Sequence, residues 1–472
     1  MTMMLMKQKK ALTPEEIRKM KTLVVGLARS GVAACNVLRD LGAEVRATDT
    51  KAASSLRPEV TGLAKRGVEL ELGKNSIEFA HACDLIVVSP GVPLETPLLR
   101  WAYESGKTVM GEVELAFCLS EARFAAVTGT NGKSTTVSLL GDIVGGATDK
   151  VRVGGNIGYP VSALANGLGE DWTMVIEVSS FQLDTSISFR PEVAVLLNIS
   201  PDHLDRYPSY EAYIRSKARM FANQTTDDFA ITNYDDPNSI RAMEATEAHK
   251  LFFSTSREVP EGAFVRGEHV VVRAGGKESK VFLTNDLRIR GPHNLANSLA
   301  AALAATVLGI DPPVIRRQVR NFAGLEHRLE YVDTVAGVEF INDSKATNLD
   351  AMERALESLS TPLTLIAGGR DKGSDWSAAS ELVRRSVKSI LAIGEARDKI
   401  RAAFSGVVPV ETAESLEEAV RKGFKAASKG ETVLLSPGCA SFDMFDDFEH
   451  RGREFKRVVM AIKAEYKEGA NG

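Results

Sequence analysis

The chain has 472 residues, 44% hydrophobic and 25% charged, with a net charge of −4. That length exceeds what one hydrophobic core organises and calls for roughly two to four domains. The near-neutral balance gives no bulk electrostatic case for nucleic acid or an anionic membrane, and no apolar run reaches the about 18 residues of a membrane span.

The first ten residues are broken by Lys7, Lys9 and Lys10 and lack the apolar stretch and cleavage site of a signal peptide. They read as a disordered leader. Cys35, Cys83, Cys118 and Cys439 are far apart and form no C-x-x-C pair. That spacing fits reduced thiols in a cytoplasmic protein, not a disulfide frame or a zinc site.

A first α/β block opens with the strand Thr22-Leu-Val-Val25, the turn Gly26-Leu-Ala-Arg-Ser-Gly31 and a helix to Leu41. A second strand, Glu44 to Asp49, ends in an acid about 20 residues past the turn, where a ribose-binding carboxylate sits in such units. A later strand, Asp84 to Val88, runs into Ser89-Pro-Gly-Val-Pro93. Ala28 takes the place of the glycine that lets a dinucleotide pyrophosphate approach the backbone. A nucleotide held differently from NAD fits better, and an ordinary tight turn is the bland alternative.

A second block begins near Gly111. A short apolar run ending at Val127 and Thr128 meets Gly129-Thr-Asn-Gly-Lys-Ser-Thr135, and Val137, Leu140, Ile143 and Val144 follow at helical spacing. Strand, glycine loop and helix together turn backbone N–H groups toward one point and can cradle phosphate. Lys133 supplies charge, and the Ser134 hydroxyl suits Mg²⁺. The loop lacks the earlier glycine of a standard Walker A, since Val127 stands there, which argues against the common GTPases and ABC-type ATPases. The strands Thr173–Glu177 and Val193–Leu197 follow, and a stretch from Gly262 to Arg290 alternates like short strands.

Three polar clusters lie at strand ends of this block: Gly154-Gly-Asn-Ile-Gly158, a turn-rich segment; Glu177-Val-Ser-Ser-Phe-Gln182; and Asn198-Ile-Ser-Pro-Asp-His-Leu-Asp-Arg-Tyr207. Ligands bind at such ends. Glu177 and Ser134 suit Mg²⁺ as oxygen donors, and His203, Asp202 and Asp205 are rival neighbours, the two acids also serving as possible helix caps. Lys217, taken alone, reads as a solvated surface lysine on an amphipathic helix. Asn294 opens an alanine-rich helix as a cap or an adenine-reading amide.

The third block, from near Leu325, alternates strands (Val338–Ile341, Leu363–Ala367, Ile390–Ile393, Val433–Leu435) with helical stretches, a parallel-sheet pattern. Asn342-Asp-Ser-Lys-Ala-Thr-Asn348 leaves a strand and starts a helix, which is either an anion or ribose site or an ordinary capped loop.

Together, Gly129–Thr135, Glu177-Val-Ser-Ser-Phe-Gln-Leu183, Asp202-His-Leu-Asp-Arg-Tyr207, His293-Asn294, Asn342–Asn348 and Ser436-Pro-Gly-Cys-Ala-Ser441 resemble the Mur ligase family, and within it the D-glutamate-adding ligases. The phosphate loop is also similar to that of folylpolyglutamate synthases. The resemblance runs in order from about Lys21 to Arg453. It implies an α/β protein of three domains: a Rossmann-like domain for a uridine nucleotide (1–111), a central P-loop-type ATPase domain with a parallel sheet (112–324), and a Rossmann-like amino-acid-binding domain (325–472).

By the same resemblance, Ala28, Arg29, Ser30, Gly31, Asp49, Thr50, Ser89, Gly91 and Asn156 would hold UDP-N-acetylmuramoyl-L-alanine. Gly129, Thr130, Asn131, Gly132, Lys133, Ser134 and Thr135 would hold ATP, with Asn294, Arg328, Asp343 and Lys345. Lys133, Glu177, His203 and Lys217 would be catalytic. Ser134, Glu177, His203 and a Lys217 carbamylated by CO₂ would bind two Mg²⁺ ions. Thr347, Lys372, Ser441, Phe442 and Phe448 would shape the D-glutamate site, Phe442 lying in a stretch that varies within the family. The implied reaction phosphorylates a carboxylate with ATP and joins it to the D-glutamate amine, in a cytoplasmic monomer whose third domain closes as a hinged unit on its ligands. Another amide ligase of the same superfamily, an ATP-hydrolysing nucleotide switch and an NAD-dependent oxidoreductase are the competing readings.

Overall fold

β-Branched and aliphatic runs make the strands of three sheets, and loops rich in glycine and hydroxyl residues lie at their carboxyl ends. The computed structural model describes residues 11–202, 206–289, 291–359, 362–371 and 373–470. The leader therefore lies outside the described residues, as do His203, Asp205, Arg290 and Lys372. Contacts divide the chain into two compact units, one running to Leu287 and including His293–Asn321, the other made of Arg288–Pro292 and Phe322 onward.

The first unit holds two sheets. In one, β1 (Lys21–Val25), β2 (Glu44–Asp49), β3 (Glu69–Leu72), β4 (Leu85–Val88) and β5 (Thr108–Gly111) are ordered β3-β2-β1-β4-β5, all parallel. The order reverses beside β1, which places a ligand crevice at the carboxyl ends of β1 and β4. β1 and β4 are buried on both faces, as parallel strands covered by helices should be.

The second sheet contains β6 (Arg123–Thr128), β7 (Val151–Gly155), β8 (Thr173–Glu177), β9 (Val193–Leu196), β10 (Phe229–Asn233), β11 (His249–Ser254), β12 (Gly262–Arg266), β13 (His269–Ala274) and β14 (Lys277–Leu283). Their order is β14-β13-β12-β11-β10-β9-β6-β8-β7. Strands β7 to β12 pair in parallel through β6, while β13 and β14 close the edge as antiparallel strands. The alternating stretch after Gly262 thus forms the strands its pattern predicts. The glycine-rich segment at 154–158 differs from expectation: Gly154 and Gly155 end strand β7, and the turn begins only after them. A side chain at Gly155 would place its Cβ 2.2 Å from the Glu177 carbonyl oxygen, so the glycine marks close strand contact. Phe117, Phe124 and Phe189 pack edge to face beneath this sheet.

The second unit carries β15 (Glu330–Val335), β16 (Val338–Asn342), β17 (Leu363–Gly368), β18 (Val387–Ile393), β19 (Val410–Thr412) and β20 (Thr432–Leu435), ordered β15-β16-β20-β17-β18-β19. Among the described strands of this sheet, the β15–β16 hairpin is antiparallel and the other pairs are parallel. Apolar clusters cover both faces, one around Leu365 and Trp376, the other around Phe340 and Phe455. All four cysteines are free and buried. Among the described residues no helix is long and apolar enough to cross a membrane.

Candidate functional site: a nucleotide loop with two convergent lysines

Val127 is fully buried in β6 and pairs in register with Glu177 of β8, so the strand occupies the position where a Walker loop would begin. The loop therefore starts at Gly129, and the helix Lys133–Gly145 follows. Gly132 caps that helix with φ +84, a left-handed conformation, and a Cβ there would lie 2.2 Å from the Asn297 amide oxygen. The loop is pinned by Asn198, whose carbonyl accepts from Thr130 N (2.9 Å) and whose side-chain oxygen accepts from Asn131 N (2.9 Å). Ser134 and Thr135 are buried in the first helical turn. Helix N-terminal amides, a lysine and a hydroxyl thus meet in one place.

The Lys133 ammonium donates to the Gly129 and Thr130 carbonyls, at 2.8 Å each. Lys217, 88 residues along the chain, donates to the same Gly129 oxygen at 2.9 Å. Lys217 is only 1% exposed, which overturns its reading as a surface lysine. Burial, followed by the charge of Lys133, pushes its ammonium well below the usual lysine range, while Asp202, Glu177 and Asp184 act in the opposite sense. Its Nζ lies 4.7 Å from the ring centre of Tyr213, whose hydroxyl is 3.2 Å from Thr130 Oγ1. Asn198, Tyr213 and Asn297 were not singled out as site residues from the sequence, because their partners are distant in the chain.

Glu177 ends β8 beside the loop and is 2% exposed. Its Oε1 accepts from the Asn156 side-chain amide at 2.8 Å, and its buried Oε2 has no hydrogen-bond partner among the described residues. An orphaned buried carboxylate oxygen is costly without a cation or donor. Among the described residues no three His, Cys, Asp or Glu side chains gather as a metal site. The Glu177 carboxylate and the Ser134 hydroxyl nonetheless offer the oxygen donors that suit a hard cation such as Mg²⁺.

In the first sheet, Asp49 ties the glycine turn together, its two oxygens accepting from Leu27 N (2.7 Å) and Lys51 N (2.8 Å). Ser89 Oγ donates to the Gly26 carbonyl at 2.7 Å. Ala28, the first helical residues Arg29–Gly31, Asp49 and Ser89 are thus brought together at the crevice; Thr50 follows β2 directly, and Gly91 lies three residues past the end of β4. Arg29 reaches across to the second sheet and donates to the Gly158 carbonyl. Asn294 lies in the first turn of the helix Pro292–Val307, nearly buried, and its side-chain oxygen accepts from Asn297 (3.3 Å). It is therefore not the residue that caps that helix.

In the second unit, Asp343 follows β16 and its carboxylate accepts from Ser436 Oγ (2.8 Å) and Leu329 N (3.2 Å). Burial pushes this carboxyl up to about 7, against those hydrogen bonds and the charges of Arg328 and Arg451. His327 and Leu329 flank Arg328 with φ of 64° and 43°, a left-handed strain of the kind that collects at ligand sites. His327 is buried, with its carbonyl accepting from Lys345 N at 3.0 Å, and sequence reasoning passed it over.

The buried Arg451 donates to Ser344 Oγ (3.0 Å), the Ser344 carbonyl (2.8 Å) and the Cys439 carbonyl (3.1 Å). Ser344 Oγ donates to the Phe448 carbonyl at 2.8 Å. These bonds draw the loop bearing Lys345 and Thr347, the turn before Ser441 and the helix beginning at Phe448 into one site. Lys345 Nζ lies 5.8 Å from the Phe448 ring centre. Ser441 is 2% exposed and Phe442 is 63% exposed, so the two neighbours face different surroundings.

Three family models match the chain in sequence: a Mur ligase MurD-like N-terminal domain at residues 20–111, a Mur ligase middle domain at 127–305 and a Mur ligase glutamate ligase domain at 327–439. A UDP-N-acetylmuramoylalanine–D-glutamate ligase of Koribacter versatilis is 43% identical, covering 96% of this chain and 100% of that protein. One from Acidobacterium capsulatum is 44% identical over 94% of this chain and 97% of its own length. Among solved structures, UDP-N-acetylmuramate-alanine ligase MurC of Thermotoga maritima shares the fold with a TM-score of 0.59 at 17% identity, covering 94% of this chain and 99% of that one. With three α/β domains matched in order and relatives this similar over almost their full lengths, the chain belongs to the Mur ligase family.

Proposed function

We infer that this protein is an ATP-dependent ligase that joins D-glutamate to UDP-N-acetylmuramoyl-L-alanine in the synthesis of peptidoglycan precursors. The substrate pair is that in the names of the relatives at 43% and 44% identity. The observation that carries the chemistry is the meeting of Lys133 and Lys217 on the Gly129 carbonyl, with the orphaned oxygen of Glu177 at the adjoining strand end.

A carboxylate is a poor acyl donor because attack by an amine would have to expel oxide. In the proposed reaction, a carboxylate oxygen of the alanyl group attacks the γ-phosphorus of ATP, the bond to the β-phosphate oxygen breaks and ADP leaves. The D-glutamate amine attacks the resulting acyl phosphate. The tetrahedral intermediate collapses with loss of phosphate, and the amine proton passes to solvent. Lys133 exchanges its loop carbonyls for phosphate oxygens and offsets their charge. The loop amides of Gly129 to Thr135 orient the triphosphate.

Ser134, Glu177 and a carbamate on Lys217 would hold Mg²⁺, which when bound neutralises charge on the transferring phosphoryl. The second Mg²⁺ and the role of His203 belong to the same proposal, His203 lying outside the described residues. CO₂ adds to a neutral amine, and the buried Lys217 is shifted toward that form. The Ala28–Gly31 turn with Asp49, Thr50, Ser89, Gly91 and Asn156 binds the uridine substrate. Asn294, Arg328, Asp343 and Lys345 are assigned to ATP binding, and Thr347, Lys372, Ser441, Phe442 and Phe448 to D-glutamate binding.

We place the domain limits at 111/112 and 324/325. The end of β5 at Gly111 and the change of contact unit at Phe322 support them. The enzyme works as a cytoplasmic monomer, a placement supported by its four free, buried thiols.

Phosphate release measured with ATP, UDP-N-acetylmuramoyl-L-alanine and a panel of amino acids tests the assignment. Release that requires D-glutamate is expected. Release with L-glutamate or lysine but not D-glutamate would sink it, and release without any amino acid would point to a switch.

A further inference from the structure

The helix Glu112–Cys118 leads out of β5 and opens with two buried acids, Glu112 and Glu114, each 1% exposed. The Glu114 carboxylate is fully engaged. It accepts from Ile187 N (2.8 Å), from Ser188 N and Phe189 N (2.9 Å each) and from Ser188 Oγ. Glu112 is held differently. Its Oε1 accepts from Ser162 N at 2.5 Å, and its Oε2 is buried with no partner among the described residues. Burial pushes this carboxyl up, against the hydrogen bonding of Ser162.

Ser162 lies in the first turn of the helix Val161–Ala165, where backbone N–H groups have no acceptor within the helix. The residue before that helix is Pro160, whose side chain has no group to cap it. Glu112, 50 residues earlier in the chain, supplies the acceptor instead. The same helix anchors the turn after β7. Gly155 N donates to the Tyr159 carbonyl at 2.9 Å, Asn156 N to the Glu177 carbonyl at 2.9 Å, and the Asn156 side chain to Glu177 Oε1 at 2.8 Å. A Cβ on Gly154 would lie 2.6 Å from the Tyr159 carbonyl oxygen, so the turn has no slack. Residues 156–162 are thus gripped at both ends by buried carboxylates, Glu177 at Asn156 and Glu112 at Ser162.

We propose that Glu112 is a positioning residue for the nucleotide substrate: through Ser162 it fixes the segment that presents Asn156. The inference rests on the function proposed above, in which Asn156 belongs to the binding of UDP-N-acetylmuramoyl-L-alanine. What Ser162 N requires is an acceptor oxygen, not a negative charge. Glutamine keeps that acceptor, whereas methionine has similar length, suits a buried position and is at best a weak acceptor. Without the bond a buried N–H is left unsatisfied, and the segment shifts or loosens to satisfy it. The phosphate loop is held by Asn198 and the glycine turn of the first sheet by Asp49, so neither depends on Glu112.

Calorimetric titration of wild type, Glu112→Met and Glu112→Gln tests the proposal, with UDP, UDP-N-acetylmuramoyl-L-alanine and a non-hydrolysable ATP analogue as ligands. Glu112→Met is expected to weaken the muramoyl compound by about tenfold and leave UDP and the ATP analogue unchanged. Glu112→Gln should bind all three as wild type does. Wild-type affinity of Glu112→Met for the muramoyl compound would overturn the role of Glu112 alone, and so would an equal loss for all three ligands, the mark of general damage. Hydrogen exchange on wild type reads the same link without a variant. The Ser162 amide should be protected, and more so with the muramoyl compound than with UDP; equal protection with both would overturn the proposal even where Glu112→Met does not fold. A wild-type protein that binds UDP but not the muramoyl compound would overturn the function reading and this inference with it.

Discussion

Lys133 and Lys217 donate to one acceptor, the carbonyl oxygen of Gly129, at 2.8 and 2.9 Å. Two ammonium groups so close repel strongly when one of them is buried. The conflict is relieved when Lys217 is neutral, and the proposed carbamate on Lys217 would make the pairing attractive. With ¹³C-labelled bicarbonate, wild type should show a carbamate resonance that Lys217→Ala lacks. The same variant should lose roughly 10²-fold or more in kcat while keeping its secondary structure. Full activity in Lys217→Ala would remove this lysine from the mechanism.

Glu177 offers one oxygen to Asn156 and keeps the other buried, without a partner among the described residues. Glu177→Gln keeps the shape and removes the charge. The Mg²⁺ concentration at half-maximal activity should rise by about tenfold or more, while binding of UDP, assigned above to the first sheet, should stay as in wild type. An unchanged Mg²⁺ dependence would show that this carboxylate does not meet the metal.

Asp343 links function to stability with a definite sign. Its carboxyl is raised from the ordinary range to about 7 by burial. Below about pH 4 it is protonated whether folded or unfolded. Between there and pH 7 the unfolded chain releases a proton that the folded unit retains, so stability falls as pH rises, by about 1.4 kcal/mol per unit of displacement. Asp343→Asn lacks that penalty. Without nucleotide, it should unfold at a higher temperature than wild type at pH 8 and lose the advantage near pH 4, while ATP affinity falls. A stability gain independent of pH would contradict the account.

The phosphate loop was legible in sequence because its requirements are local: glycine for the backbone at Gly132, charge at Lys133 and a hydroxyl at Ser134. The strand ends at Asp49, Glu177 and Asn342 were legible for a similar reason, since apolar runs stop where polar groups are needed. Lys217 was not, because its helix places Tyr213, Ile214, Ser216 and Lys217 on the buried side, and helical periodicity alone does not reveal that a lysine is covered. Gly154 and Gly155 looked like turn residues because their strand role depends on the close approach of β8. Asn198, His327 and Arg451 act on segments 67, 15 or 107 residues away in sequence, and only the fold supplies those partners.

In the proposed reaction the γ-phosphoryl group passes to a substrate carboxylate instead of to water. UDP-N-acetylmuramoyl-L-alanine labelled with ¹⁸O in its alanyl carboxylate tests this most directly, in a complete reaction with ATP and D-glutamate. One ¹⁸O atom should leave with each phosphate released, because the oxygen that attacked phosphorus departs with it. Unlabelled phosphate formed alongside the amide product would contradict the acyl-phosphate route.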